Sequence, residues 1–254
     1  MEKTRIGNTE RSYDELLKHT AVRFLPDGRH PQLAAFPHQK MEDMTLVFTD
    51  SFGHLVTNRN LQELGVSAKQ FQEEALAAAS ENHPVTLMTI EEALGMPADI
   101  LSEKDPGEPQ LYVASNDRMQ LGAGVLAYPG FLDQAAERLG GDFYVLPSSI
   151  HEVLLLSDHQ DMTIADLNGI VRGVNAQEVA PEERLSDHVY HYDSREKVFE
   201  LAEKFEMRQQ EKATRPKEKE SVLKSLKEEK QRSAARAPEH RAKPALKAAR
   251  EEVL

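Results

Sequence analysis

Within five consecutive positions, Ser148, Ser149, His151 and Glu152 bring together the side-chain types of hydrolytic chemistry. A hydroxyl, an imidazole and a carboxylate suffice for acyl transfer when the base reaches the nucleophile and an acid orients the base. The spacing completes neither of the two patterns it suggests. A helical zinc site needs HExxH, and this stretch reads His151-Glu152-Val153-Leu154-Leu155, with an apolar residue where the second ligand belongs. A nucleophile elbow needs glycines around its serine, and none flanks Ser148 or Ser149. If the stretch is a strand, alternation puts His151 on one face with Val153 and Leu155, and Glu152 on the other with Leu154 and Leu156. Ser149 and His151 then share a face, and the third group of a triad must come from a distant part of the chain. The same residues also suit a polar turn whose hydroxyls cap backbone groups.

Metal-ligand types recur near the end of the acidic part of the chain. In His188-Val189-Tyr190-His191-Tyr192-Asp193 a strand places His188 and His191 on opposite faces, so His191 can cooperate only with Asp193. Asp158, His159 and Asp161 raise the donor count if their loop lies beside that strand. A third group, Asn58-Arg59-Asn60 and Ser115-Asn116-Asp117-Arg118, falls at strand ends, where such residues cap the next element. Its functional reading is a small anion or a peptide terminus held by Arg59 or Arg118 with Asn116 beside it.

The elements that must position these groups alternate between strand and helix periods. Met44 to Asp50, His54 to Thr57, Leu61 to Ser80 and Val85 to Ile90 read as strand, strand, helix, strand. Asp142 to Leu146, His151 to Leu156, Thr163 to Val174 and His188 to Tyr192 repeat that order. Between them lie a strand at Leu111 to Ser115 and a helix at Pro129 to Leu139, stopped by Gly140-Gly141. The expectation is an α+β domain with a mixed or antiparallel sheet and helices on one face, one body or two pseudo-repeated halves over 1–105 and 106–193. Gly122-Ala123-Gly124 lacks the third glycine of a dinucleotide loop and precedes an apparent strand at Val125-Leu126, so it reads as a close backbone approach.

Charge divides the 254 residues. The net charge of −12 is the sum of −17 over residues 1–193 (14 Lys/Arg, 31 Asp/Glu) and +5 over 194–254 (17 against 12). The second segment is expected to be a basic, partly helical, largely disordered tail. It opens with an amphipathic helix from Ser194, as N-cap, to Ala213, in which Val198, Phe199, Leu201, Ala202 and Phe205 share a face, and Val222, Leu223 and Leu226 form a later stripe. Interleaved acids and the lack of aromatics after Phe205 argue against nucleic acid. Cysteine is absent, which excludes thiol chemistry and disulfides, and no apolar run approaches the ~18 residues of a membrane span.

The segments GDFYVLPSSIHEVLLL (141–156), Val174-Asn175 and LSDHVYHYD (185–193), with MEDMTLVFTD and the NLQELGVSAKQFQEEAL helix before them, resemble the bacterial domain-of-unknown-function family 5688 over about residues 10–193. A more distant likeness is to family 1444 of the same series. The resemblance implies an intact domain in a cytoplasmic bacterial protein and brings no catalytic residue with it. The expected function is therefore non-enzymatic binding or accessory work with no cofactor, and a protein partner docked by the tail. The alternatives are a hydrolase built on Ser148 to Glu152 and a nucleic-acid accessory factor acting through the tail.

Overall fold

A computed structural model describes residues 12–25, 32–96, 110–147, 149–158 and 162–214. Helix α1, Tyr13–His19, starts at Ser12, whose hydroxyl accepts the Glu15 N–H. Strands β1 (Ala21–Phe24), β2 (His38–Met41) and β3 (Met44–Thr49) form a small antiparallel sheet in the order β1-β3-β2. Every residue of the central strand β3 is buried. Helices α2 (Asn58–Leu64) and α3 (Ala68–Asn82) follow, then β4 (Val85–Thr89), the short α4 (Ile90–Ala93) and β5 (Leu111–Asn116). A 3-10 helix (Gly122–Ala127), α5 (Phe131–Leu139), β6 (Phe143–Leu146), β7 (Val153–Ser157), α6 (Ile164–Gln177), β8 (Tyr190–Asp193) and β9 (Val198–Leu201) complete the series, and a helix α7 runs over 202–214. The second sheet has six strands, all antiparallel, in the order β4-β5-β7-β6-β8-β9.

Alternation along these strands divides the core. Tyr112, Phe143, Val145, Val153, Leu155, Tyr190 and Tyr192 face one layer, filled by α3, α5, the 3-10 helix and the small sheet. Tyr144, Leu146 and Leu156 face the other, where Leu167 and Val171 of α6 and Ala202 of α7 cover them. Helices thus lie on both faces of the large sheet, not on one. Fully burying one large apolar side chain stabilises by about 1.5–3 kcal/mol, so both layers contribute to the fold.

The fold is α+β, as expected. The two strand–strand–helix–strand series share order but not topology, because β3 belongs to the small sheet and β4 to the large one. The expected strand at 54–57 is one isolated bridge, Leu55 to Thr49. The long helix expected over 61–80 is two helices, broken where Gly65 takes a left-handed φ of 72° and Ser67 caps α3. Val125-Leu126 is 3-10 helix, not strand.

The largest departure concerns residues 194–201. In place of a helix opened by Ser194, a four-residue turn leads into β9. The Asp193 carboxylate accepts the N–H groups of Arg195 and Glu196, Lys197 adopts φ 57°, and Val198 pairs back onto Asp193. Helical spacing was also compatible with strand alternation here, and hairpin closure decided it. The compact unit accordingly runs to Glu206, beyond Asp193, and residues 207–254 cluster separately. Of that second unit the structure describes helix to 214, so the Val222, Leu223 and Leu226 stripe lies outside the described residues. No described helix is long and apolar enough to cross a membrane.

A chain ended after Glu206 should unfold at nearly the same urea midpoint as the full chain. One ended after Asp193 loses β9, the Phe199 ring stacked on Tyr190 at 5.2 Å and the Phe205 ring on His191, and should lose at least about 3 kcal/mol.

Candidate functional site

A hollow of about 120 Å³ opens at the end of β5, lined by Ala21, Val22, His83, Asn116, Arg118, Gln120, Leu121 and Tyr128. Asn116, the last residue of β5, holds the loop that frames it. Its side-chain oxygen accepts the N–H groups of Arg118 (3.0 Å) and Gln120 (3.4 Å), and its amide nitrogen donates to the Gln120 carbonyl (2.9 Å). Met119 and Leu121 sit at φ 52° and 53°, a left-handed conformation that fixed hydrogen bonds must offset. Arg118 projects from this loop, and among the described residues no carboxylate pairs with its guanidinium.

The opposite wall comes from residues remote in sequence. His83 caps the C-terminus of α3 through its N–H to Ala79 and sets Nδ1 3.4 Å from an oxygen of Asp117. Only a tenth of its side chain is exposed. Tyr128 follows the 3-10 helix and is buried. Burial first, and the charge of Asp117 second, push its phenol up to about 12. Arg118, His83, Tyr128 and Asn116 therefore line the hollow together with the apolar Ala21 and Val22.

The back of this wall is His151. Its Nδ1 accepts the Leu121 N–H at 3.1 Å, so that nitrogen carries the lone pair and Nε2 carries the hydrogen, which faces Glu183 at 3.3 Å. The His151 carbonyl accepts both the Ser115 hydroxyl (2.8 Å) and the Gly122 N–H (2.9 Å). A Cβ at residue 122 would stand 2.1 Å from the Ser115 oxygen and 2.8 Å from this carbonyl, so glycine is required by close approach. A Cβ at Gly124 would meet the Val22 carbonyl at 2.6 Å for the same reason.

Of the hydrolytic candidates, Ser149 and His151 do meet, but through the His151 N–H donating to the Ser149 hydroxyl oxygen at 3.0 Å. Neither ring nitrogen of His151 addresses that hydroxyl. His151 and Glu152 precede β7 in a turn closed by Ser149 N–H to the Glu152 carbonyl, so they do not continue the strand. Ser148 lies outside the described residues. Of the binding candidates, Asn116 and Arg118 share the hollow. Arg59 is exposed on α2 and does not line it; Asn60 closes the capping box of that helix with Thr57.

Of the metal-ligand candidates, Asp158 and His191 come together, and Asp142 joins them with ligand-type atoms all within 4.8 Å of one another. These are the described residues that could hold a cation; His159 and Asp161 lie outside the described residues. As it stands the group is a hydrogen-bond network. His191 Nε2 is 3.1 Å from Asp158, Asp142 accepts the N–H and hydroxyl of Ser194, and the Phe205 ring stacks on the imidazole. Tyr144 also bonds Asp158, and burial and that carboxylate push its phenol upward. A metal-bound imidazole places its other N–H on an acceptor, whereas His191 Nδ1 is buried with no hydrogen-bond partner. Asp193 turns away to cap the β8–β9 turn.

The signal that could have identified His83 is modest: a histidine at a helix end before Pro84, where a cation complements the helix dipole. Nothing local marks Tyr128, Asp142 or Glu183, whose partners lie 11 to 50 residues away or more in the chain.

The elevated Tyr128 phenol makes a pH prediction. The fold favours the neutral form, so its contribution is complete below pH 10, the unfolded value, and is lost as pH rises towards about 12. Urea midpoints across that window should fall more steeply for the native chain than for Tyr128→Phe, by about 2–3 kcal/mol in total.

No curated protein and no solved structure matches the chain. A family model, described as a family of unknown function, DUF5688, matches residues 14–194, the span that carries every group described above. With most of its length covered by that model, the chain belongs to the DUF5688 family of unknown function.

Proposed function

We propose that this protein is a non-enzymatic binding protein whose body takes a small organic carboxylate in the hollow at the end of β5. The observation that carries the reading is Arg118, an exposed arginine with no carboxylate partner among the described residues, lining the same hollow as His83 and Tyr128. A planar guanidinium pairs with a carboxylate through two parallel hydrogen bonds. Ala21 and Val22 suit a short apolar body. The volume of about 120 Å³ is close to that of cavities that accept one small ring and well below that of drug-sized sites. A single arginine with Asp117 nearby favours a monoanion over a phosphate dianion.

Support for the non-enzymatic half comes from Ser149 and His151. The His151 ring nitrogens are committed to the Leu121 N–H and to Glu183, so among the described residues His151 does not act as a base on Ser149, whose hydroxyl oxygen accepts the His151 N–H instead.

Butyrate titrated into the labelled protein should move the amide signals of residues 116–122, and inorganic phosphate should move them at least tenfold more weakly. Arg118→Ala should weaken butyrate at least tenfold, Arg118→Lys should restore part of the loss, and Arg59→Ala should change nothing. Butyrate binding that survives Arg118→Ala unchanged, or that maps elsewhere, contradicts the proposal.

A further inference from the structure

We propose that protonation of His151 releases the loop carrying Arg118 and thereby expels the ligand, so that the hollow binds best when His151 is neutral. This rests on the binding reading above and adds its regulation. At its start the loop over 117–121 is held by the Asp117 N–H, which donates to the Pro84 carbonyl at 3.0 Å, and by Asn116, whose amide does not titrate. At its end the Leu121 N–H donates to the Nδ1 lone pair of His151, beside the Gly122 N–H on the His151 carbonyl. A proton can enter the ring only at that lone pair, because Nε2 already carries its hydrogen. Two donors then face each other across 3.1 Å, and the side-chain anchor at the end of the loop is lost.

The surroundings of His151 bear on the sign. Glu183 faces Nε2 at 3.3 Å, and Glu152 follows the ring in the chain. From β5 comes the Ser115 hydroxyl, and from the 3-10 helix and its approach come only backbone N–H groups; neither element sets a charge against the ring in those bonds. The structural cost of protonation falls on Leu121, which lines the hollow. Linkage is reciprocal: a ligand that needs the closed loop holds His151 neutral.

His83 lines the same hollow, where a protonated imidazole would strengthen an anion. The two histidines thus predict opposite pH trends. The probe is methanesulfonate, a monoanion of carboxylate size that stays charged throughout, titrated from about pH 8 to about pH 5.5. Its affinity for the native chain should fall about five- to tenfold on acidification, the effect of one lost hydrogen bond. Asn at 151 presents an amide oxygen where Nδ1 was, so His151→Asn should bind as the native chain does at pH 8 and lose the fall. His83→Asn should keep or deepen it. A fall that persists in His151→Asn, or no fall in the native chain, overturns the proposal.

A second readout needs neither ligand nor variant. The Leu121 amide proton in the native chain should move upfield as the loop anchor breaks, with the same midpoint as the His151 ring signals. A Leu121 signal indifferent to that titration overturns the proposal even if methanesulfonate binds. If methanesulfonate fails to bind while Leu121 responds, the binding reading falls and the loop release stands.

Discussion

A neutral imidazole has one lone pair, and in His151 that pair is given to the Leu121 N–H. Around this bond the central part of the fold is arranged. The same residue's carbonyl receives Ser115 from β5 and Gly122 from the 3-10 helix, so one position ties the start of β7 to the end of β5 and to the segment that packs on β1. Buried carbonyls with two donors leave no unsatisfied polar group, and the price of crowding them is the glycine at 122. The hollow beside Arg118 exists because the chain turns at this junction in a left-handed conformation that would not persist unsupported.

A second tie joins the small sheet to the large one. Asp43, in the β2–β3 turn, accepts the Tyr190 and Ser186 hydroxyls, and Glu42 beside it meets Lys204 of α7. Tyr190 is fully buried, and burial more than the neighbouring carboxylate drives its phenol upward. On the other face, His191 joins β6, β7, β8 and α7 through Asp158, Tyr144 and Phe205. Both histidines that looked chemically promising in isolation thus act as junctions between elements.

What the sequence made legible follows from the range of the interactions. The α+β class, helices α5 and α6, the helical character of α3 and strands β3 to β8 were visible because apolar period and caps are local: Thr163 and Gly140 each act within four residues, whereas the Ser67 cap lay inside the expected helix over 61–80. Residues 198–205 misled because Val198, Phe199, Leu201, Ala202 and Phe205 satisfy a helical period over a segment where Asp193 and Lys197 close a hairpin instead. The grouping of Asn116 with Arg118 was readable as a strand-end cluster, but its use as the frame of a hollow was not, since His83 and Tyr128 reach it from other elements. Asp142 reads as the start of a strand in the sequence and is also the third member of the His191 group.

The account turns on how the His151 ring is protonated. In a hydrolytic triad Nδ1 donates its hydrogen to the acid and Nε2 is the base, whereas here Nδ1 accepts the Leu121 N–H and Nε2 donates towards Glu183. Nitrogen-15 spectra of the imidazole at neutral pH distinguish the two directly. The account predicts a neutral ring with hydrogen on Nε2 and an acceptor-type Nδ1 coupled across the hydrogen bond to the Leu121 amide; a ring with hydrogen on Nδ1 would contradict it.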